Sequence, residues 1–259
     1  MAHTQIGLYP GGLKHHHRWL SAFEAGLRRH GVEALWNPAD CELAVMWSHR
    51  NTALIRQQRQ SGRQYLVMEA GYIGNRLENT SIGYNGLNGY ADFCVEAVPA
   101  DRWCRFADLM KPWRTGGEYY LLIGQVPGDA SLKGNDMSQW LRQIPTEIKG
   151  LPVYYRPHPL GAANTHHRRI EGSLSAALDS ARAVITFNSN TAVEAVLAGV
   201  PAITLDRGSM AWEVSSHSLE GALVMPPRQR WAERLAYCQW TQQEIESGAA
   251  WAHLKYKLQ

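Results

Sequence analysis

Residues 183–206 read AVITFNSNTAVEAVLAGVPAITLD, and this stretch decides the expected fold. The apolar, β-branched run at 183–187 predicts a buried strand, and the polar residues 188–191 predict a loop. A short helix is expected at 192–198, ended by Gly199 and followed by a second buried strand. This order of strand, loop, helix and strand is typical of a parallel α/β sheet.

The polar loop at the start of this helix is a candidate phosphate site. A loop between a parallel strand and a helix collects unpaired backbone N–H groups and the positive end of the helix dipole. Asn188, Ser189, Asn190 and Thr191 are therefore expected to hold a diphosphate, and Glu194 to accept hydrogen bonds from a ribose. The alternative is a capping box between Thr191 and Glu194, which needs no ligand.

Two further polar segments each follow a predicted buried strand. The segment RPHP at 156–159 has two prolines that fix its backbone, so its Arg and His are expected to point toward the ligand edge of the sheet. The segment GQVPGD at 124–129 is a glycine-rich loop of the kind that binds phosphate. For both segments the alternative is a plain, rigid turn. The candidate phosphate-binding residues in them are Arg156, His158, Gly124 and Gln125.

The first half of the chain offers candidates for acceptor binding and for proton transfer. The segment PGGLKHHH at 10–17 opens a predicted helix, and adjacent histidines cannot all face one ion, so no metal site is expected. Glu69 follows a buried strand and is the favoured general base, with Asp92 as a second catalytic candidate. A solvated or Arg-paired carboxylate is the alternative for both. The acceptor-side candidates in the opening loop are Gly11, Gly12, Lys14, His15 and His16.

Composition describes an ordinary globular protein of 259 residues, 45% hydrophobic and 19% charged. No apolar run approaches the roughly 20 residues that span a bilayer, so no membrane partner is expected. The N-terminal segment lacks a signal-peptide pattern. The four cysteines form no C-x-x-C pair, which favours free thiols in a reducing compartment. We therefore expect a soluble, cytoplasmic protein.

Charge is distributed unevenly along the chain. Residues 1–115 carry 13 Lys and Arg against 10 Asp and Glu, whereas residues 116–259 carry 13 of each kind. Arginine outnumbers lysine by 20 to 6, which suits bidentate contacts with phosphate. A basic first half indicates a polyanionic partner, and a merely solvated basic surface is the alternative.

Strands that alternate with helices predict two Rossmann-like domains. The segment PWRTGGE at 112–118 breaks all periodicity, so the limits are set at 1–115 for the first domain, on the acceptor side, and 116–240 for the second. A capping box between Thr241 and Glu244 opens a C-terminal helix in 241–259, which could pack back on the first domain. A cleft between the domains is the expected ligand site.

Together these segments resemble glycosyltransferases of the GT-B class, in which two Rossmann-like α/β domains face each other across a cleft. The class motif is a polar loop, a helix that bears a Glu, and then Gly-x-Pro, matched here by 189–191, Glu194 and 199–201. The resemblance implies that the second domain, 116–240, holds a nucleotide-sugar donor. The RPHP segment resembles that of capsule and teichoic-acid transferases, which implies that His158 is a catalytic residue that contacts the donor phosphate or the leaving group. The resemblance also favours a UDP-sugar as this donor and implies no required metal.

A closer resemblance is to small bacteriophage enzymes that glycosylate hydroxymethylated bases in DNA. The matching segments are SIGYNGLNGYADF at 81–93, GQVPGD at 124–129 and GAAWAHL at 248–254. This resemblance implies DNA as the acceptor partner, with sugar transfer to the hydroxymethyl group of 5-hydroxymethylcytosine and no obligate protein partner. Tyr84 and Asn85 would then contact the base, since the base must leave the stack or be read at its groove edge. Packing in the core is the alternative for this aromatic loop.

Rival functions share the same donor site. A capsule or wall-polysaccharide glycosyl- or glycerophosphotransferase would use a carbohydrate or lipid-linked acceptor. A nucleotide-sugar epimerase would convert the donor with no acceptor present. A non-catalytic binding protein would hold the nucleotide sugar and give no product.

Overall fold

A computed structural model describes residues 5–258; the ends of the chain, 1–4 and 259, lie outside the described residues and so do the corresponding ends of the predicted domains. The strands are β1 (Ile6–Tyr9), β2 (Ala34–Trp36), β3 (Leu43–Trp47), β4 (Gln64–Ala70), β5 (Asn79–Tyr84), β6 (Tyr119–Ile123), β7 (Glu147–Ile148), β8 (Leu151–Arg156), β9 (Ala181–Thr186), β10 (Ala202–Thr204) and β11 (Gln239–Thr241). The helices are α1 (Lys14–Arg29), α2 (Thr52–Gln60), α3 (Met137–Gln143), α4 (Leu174–Asp179), α5 (Thr191–Leu197), α6 (Gln229–Tyr237), α7 (Gln242–Glu246) and α8 (Ala249–Leu254). Within 5–258, no helix has both the length and the apolar character that a membrane crossing requires.

The chain forms two compact units. Unit 1 comprises Met1–Arg102 and Glu233–Gln259, and unit 2 comprises Trp103–Ala232. A compact unit need not coincide with a domain that folds independently. The domain limits at 115 and 240 therefore stay predictions.

Unit 1 holds a six-stranded sheet in the order β11-β5-β4-β3-β1-β2. Strands β1 to β4 run parallel, β5 runs antiparallel to β4, and β11 runs antiparallel to β5. Helices α1, α7 and α8 cover one face, where the Trp251 ring meets Phe23 edge-on at 6.0 Å, and α2 covers the other. The C-terminal helices thus pack against α1 inside this unit.

Unit 2 holds a five-stranded sheet in the order β10-β9-β6-β8-β7. Strands β10, β9, β6 and β8 are parallel, and β7 forms a tight hairpin with β8. Strand β6, with the sequence YYLLI, is buried along its whole length because helices cover both faces of the sheet. The predicted α/β class, with two Rossmann-like units, is confirmed.

Each sheet reverses its strand order once. In unit 1, β2 lies on one side of β1 and β3 on the other; in unit 2, β8 lies on one side of β6 and β9 on the other. At such a reversal the loops leave in opposite directions and open a crevice outside the carboxyl ends of the strands, which is where open α/β sheets bind ligands. The fold therefore marks the ends of β1 and β3, and of β6 and β9, as ligand edges.

Candidate functional site

The carboxyl edge of the unit 2 sheet gathers the predicted donor-binding residues. Because β6, β8 and β9 are parallel neighbours, the loops that follow them emerge at the same edge. The loop after β6 and the loop after β9 flank the strand-order reversal, and the loop after β8 lies beside them. The residues brought to this edge are Gly124, Gln125, Arg156, His158, Asn188, Ser189, Asn190, Thr191 and Glu194.

The side chains of Gln125 and Asn188 bind each other beneath this edge. Asn188 Nδ2 also donates to the Ser131 carbonyl and to Asp206 Oδ1, each at 2.8 Å. Gln125 Nε2 donates to Asn188 Oδ1 at 2.8 Å and to Ser131 Oγ at 3.2 Å. These buried amides are satisfied by protein partners, so they shape the floor of the edge and leave ligand contacts to neighbouring groups.

Close packing at the end of β6 explains Gly124, and the loops after β6 and β8 lie in contact. A β-carbon at Gly124 would lie 2.5 Å from the Tyr155 hydroxyl oxygen, so only glycine fits at the end of β6. A β-carbon at Gly161 would lie 3.6 Å from Pro127 Cδ, which places the loop after β8 against the loop after β6. The Gly124 amide donates to the Arg156 carbonyl at 2.9 Å, which holds these two strand ends in register.

The start of α5 does not form the alternative capping box. Asn190 is the N-cap and Thr191 the first helical residue, and the cap makes no side-chain capping hydrogen bond. Ser189 Oγ instead accepts from the Thr191 amide at 3.2 Å, while the Ser189 amide donates to Thr186 Oγ1 at 3.0 Å. Glu194 is exposed in the first turn, with Oε1 3.5 Å from Asn190 Nδ2. The Glu194 carboxylate therefore does not cap the start of the helix.

The RPHP segment orients two half-buried side chains. Arg156 Nη1 donates to the Gly172 carbonyl at 2.6 Å, which anchors the guanidinium at this edge. His158 Nδ1 accepts from the Leu160 amide at 3.1 Å. Because Nδ1 is the acceptor, the neutral ring carries its hydrogen on Nε2. The imidazole therefore has a defined tautomer.

At the carboxyl edge of unit 1, the loop after β1 and the first turn of α1 carry the acceptor-side candidates Gly11, Gly12, Lys14, His15 and His16. The His16 ring stacks on Trp47 at 5.1 Å, and the His15 ring meets the same indole edge-on at 5.3 Å. Burial, followed by the neighbouring His15, lowers the pKa of His16 below its ordinary value. The fold therefore places a histidine-rich turn at the strand-order reversal of unit 1.

Glu69 lies near the carboxyl end of β4, at the same edge of unit 1 as the loop after β1. It pairs across the sheet with Ser81, whose hydroxyl donates to the Glu69 carbonyl at 3.3 Å. The loop that follows is fixed by Gln239, whose Oε1 accepts from the amides of Tyr72 at 2.6 Å and Ile73 at 2.8 Å. Glu69 is half-buried and stands beside a well-anchored loop.

Three predicted residues lie at the opposite edge of the unit 1 sheet. Because β5 is antiparallel to β4, its last residue, Tyr84, pairs with Leu66 far from Glu69. Tyr84 is fully buried and donates to the Leu254 carbonyl at 3.2 Å. Asp92 pairs with Tyr84 through the backbone and forms an ion pair with Lys257.

Asn85 shares this position and has a structural explanation. Its φ of 59° turns the chain after β5, and its Oδ1 accepts from the Tyr65 amide at 3.1 Å. The Tyr65 hydroxyl donates to the Asn85 carbonyl at 2.8 Å. The structure therefore does not bring Tyr84, Asn85 and Asp92 together with the loop after β1 or with Glu69, and the core-packing alternative describes the Tyr84 ring.

Sequence reasoning missed three residues that build these edges. Asp206 lies two residues after the end of β10 and accepts hydrogen bonds from both Asn188 Nδ2 and the Gly208 amide, and its position after a buried run was a usable signal. Ser131 and Gln239 act through partners distant in sequence, and no local pattern announces such contacts. Over the described residues, no group of three or more His, Cys, Asp or Glu side chains is arranged to hold a metal ion.

No protein-family model and no curated protein matches this sequence. Among solved structures, the chain is similar to the β-Kdo 2,7 transferase of Thermosulfurimonas dismutans KpsC, with a TM-score of 0.60 and 14% identity over 98% of this chain and 99% of that chain. It is also similar to the β-Kdo 2,4 transferase of the same KpsC, with a TM-score of 0.57 and 15% identity over 92% and 91%. At these identities the likeness shows the fold. The chain thus has the two-unit α/β fold seen in these glycosyltransferases, which confirms the expected resemblance at the level of architecture.

Proposed function

We propose that this protein transfers a sugar from a nucleotide-sugar donor to a hydroxyl group of a saccharide acceptor. The observation that carries the proposal is the gathering of polar loops at the strand-order reversal of unit 2, in a chain that has a glycosyltransferase fold along almost its whole length. Open α/β sheets bind phosphorylated ligands at such an edge.

The donor is assigned to the carboxyl edge of unit 2. Ser189, Asn190 and Thr191 would contact the diphosphate, and the exposed Glu194 carboxylate would accept hydrogen bonds from the ribose hydroxyls. The absence of a Thr191–Glu194 capping box supports this role, because it leaves the carboxylate available. We favour a UDP-sugar as the donor, and binding measurements with a panel of nucleotides test which nucleobase the site accepts.

The reaction needs charge stabilisation on the leaving nucleotide and a base for the acceptor. The acceptor oxygen would bond to the anomeric carbon while the bond from that carbon to the diphosphate oxygen breaks. Negative charge then grows on the diphosphate, where Arg156 and the Nε2–H of His158 would offset it. The acceptor proton would pass to the Glu69 carboxylate.

A saccharide acceptor has better support than 5-hydroxymethylcytosine in DNA. The two similar solved structures are Kdo transferases, which fit the capsule-type alternative rather than the phage type. The aromatic residue expected to meet a flipped base, Tyr84, is fully buried. The DNA acceptor is therefore the second candidate, and the same experiment tests it in parallel.

The test is an incubation of the protein with a panel of nucleotide sugars and two acceptor sets, followed by mass spectrometry. One set holds oligosaccharides and the other holds DNA with 5-hydroxymethylcytosine. A sugar-sized mass gain on an oligosaccharide supports the proposal, and the same gain on DNA nucleosides moves the acceptor to DNA. Donor isomerisation without acceptor would indicate an epimerase. Donor binding with no product from either set would indicate a binding protein and refute the proposal.

A further inference from the structure

Helix α2 and the turn before it present a basic surface in a part of the chain that lacks acidic residues. The sequence has no Asp or Glu between Glu42 and Glu69, and it has four arginines there, at positions 50, 56, 59 and 63. Arg50, Arg56 and Arg59 are exposed, because the apolar side of α2 packs against the sheet and leaves the polar side in solvent. We name these three residues the α2 arginine face.

No acidic side chain offsets the positive charge of the α2 arginine face. Among residues 5–258, Arg50 and Arg56 take part in no salt bridge and no side-chain hydrogen bond. Arg59 Nη2 donates to the Tyr65 hydroxyl oxygen at 2.8 Å. A guanidinium group keeps its proton throughout the physiological pH range, so the charge of this face does not depend on titration.

This charge arrangement does not help the fold. Arg56 and Arg59 lie three positions apart, so they share one side of α2 and repel each other. Gln60 is exposed and lies four positions after Arg56, where a glutamate would form a stabilising ion pair. A pair of opposite charges forms nearby, between Arg63 and Asp40, whereas the α2 arginine face has none. A surface that gives up such pairs is better suited to a negatively charged ligand than to folding.

The α2 arginine face starts at the sheet edge that carries Glu69 and leads away from it. The Ser48 amide donates to the Met68 carbonyl at 2.9 Å, so the segment that bears Arg50 leaves the sheet beside the end of β4. Helix α2 then runs back toward the start of β4, over about 13.5 Å for its nine residues. The charges thus lie along a line, which suits an extended ligand with repeated negative charges better than a single small anion.

We infer that the α2 arginine face binds a chain of acidic sugars, with its guanidinium groups paired to successive carboxylates of a polysaccharide acceptor. The inference rests on the proposed function and deepens it by naming an acidic polysaccharide as the acceptor class. Arginine binds carboxylates through two parallel hydrogen bonds. The exposed amide of Gln60 can both donate to and accept from a sugar hydroxyl beside them.

Two other anionic partners fit this face less well. A helix that lies on a membrane buries large apolar side chains in the lipid, and residues 48–63 expose none. Proteins that bind single-stranded nucleic acid stack its bases on aromatic rings, and the sequence has no Phe, Tyr or Trp between Trp47 and Tyr65. Duplex DNA is an outcome that the experiment separates.

Calorimetric titration of the full chain with hexagalacturonate tests the inference, with maltohexaose as the neutral oligosaccharide of equal length. Hexagalacturonate should bind more weakly as salt is added, and maltohexaose should bind at least about ten-fold more weakly than hexagalacturonate. The double variant Arg50→Gln, Arg56→Gln changes exposed side chains without partners, so it should fold normally and weaken hexagalacturonate binding about ten-fold. Gln60→Glu keeps every arginine but gives Arg56 an internal partner, and it should weaken binding about three-fold.

The matched control makes the same change in net charge on the other face of the unit 1 sheet. Arg28→Gln, Arg29→Gln alters the last turn of α1 and should leave hexagalacturonate binding unchanged. Thermal stabilisation by UDP should be the same in every variant, because the donor is assigned to unit 2. An equal loss in both double variants, equal binding of maltohexaose, or no hexagalacturonate binding by the wild type overturns the inference.

Two further outcomes separate the partner class and the proposed function. Tighter binding of a DNA duplex of equal charge, lost in Arg50→Gln, Arg56→Gln, would assign the face to nucleic acid and overturn the inference. Absence of UDP binding and of sugar transfer in the wild type would refute the proposed function instead. Hexagalacturonate binding that depends on Arg50 and Arg56 would then still support a binding surface for acidic saccharides.

Discussion

Gln125 and Asn188 join the carboxyl ends of β6 and β9 through reciprocal hydrogen bonds. The Asn188 backbone N–H donates to Gln125 Oε1 at 3.0 Å, and Gln125 Nε2 donates to Asn188 Oδ1 at 2.8 Å. Both side chains are buried, and Asp206 and Ser131 complete their bonding. Because these two strands flank the strand-order reversal, the pair sets the spacing of the loops on which the proposed donor site depends.

Removing the Asn188 side chain should therefore affect both stability and nucleotide binding. Asn188→Ala removes one of the two acceptors of Gln125 Nε2 and the side-chain donor to the Ser131 carbonyl, which costs about 1–3 kcal/mol of unfolding free energy. We expect this loss in urea denaturation, together with weaker UDP binding by calorimetry. Asn164→Ala, at an exposed position of the same unit, is the control and should change neither quantity. Full stability in Asn188→Ala would show that the pair does not support the edge.

Glu194→Ala should weaken donor binding without destabilising the fold. The side chain is exposed, so we expect the free energy of unfolding to change by less than about 0.5 kcal/mol. Loss of a charged acceptor for the ribose hydroxyls should raise the Kd for UDP by about ten-fold. The measurement is calorimetric titration with UDP.

A comparison of UDP with 2′-deoxy-UDP distinguishes a contact between Glu194 and the ribose from a general effect of its charge. If Glu194 meets the 2′-hydroxyl, 2′-deoxy-UDP should bind the wild type more weakly than UDP does, and Glu194→Ala should bind both alike. Glu220→Ala removes another exposed carboxylate of unit 2 and serves as the control. Retention of the full preference for UDP in Glu194→Ala would contradict the ribose role.

Glu69→Gln should reduce turnover while it leaves donor binding intact. A general base contributes about 10²–10⁴-fold to rate, and the amide of glutamine cannot take the proton. We expect kcat to fall within that range and the Kd for UDP to stay constant, because the residue lies in unit 1. Glu42→Gln is the matched control. Glu42 is exposed and lies just before β3, at the edge of the sheet opposite to Glu69. Full activity in Glu69→Gln would assign the base elsewhere.

Tyr84→Phe should change stability and not acceptor recognition. The substitution removes one hydrogen bond to the Leu254 carbonyl, at a cost of about 1 kcal/mol, in a residue with no exposed surface. The KM for the acceptor should therefore equal that of the wild type in steady-state assays. A raised KM for the acceptor at unchanged kcat would instead indicate that the acceptor binds at the loop after β5.

Local sequence signals were sufficient for the elements that are buried on both faces. The apolar run at 183–187 predicted β9, and the helix expected at 192–198 is α5, shifted by one residue at each end. Such runs can be read locally because a parallel strand covered on both sides needs apolar residues at nearly every position. The carboxyl-edge positions of the 124–129 and 156–159 loops followed from the same reasoning.

Strand direction and long-range pairing could not be read from the sequence. An alternating or apolar pattern tells which side chains are buried, but it is the same for a parallel and an antiparallel strand. Because β5 runs antiparallel to β4, Tyr84 and Asp92 lie at the edge of the sheet opposite to Glu69, which the sequence did not indicate. In the same way, Gln239 fixes the loop after β4 from a strand that lies at the far end of the chain.

Stability should fall on mild acidification, in part through His253. Burial lowers the pKa of this imidazole, and the nearby Arg102 adds to the effect, whereas the Phe93 carbonyl and Glu96 act in the opposite direction. With the folded pKa below the unfolded value of about 6.5, the unfolded chain binds more protons in between, so stability is full above about pH 7 and declines below about pH 6.5. His253→Gln should reduce that slope in urea midpoints measured from about pH 7.5 to 5, while His217→Gln, at an exposed site, should not. An unchanged slope in His253→Gln would mean that His253 does not couple folding to protonation.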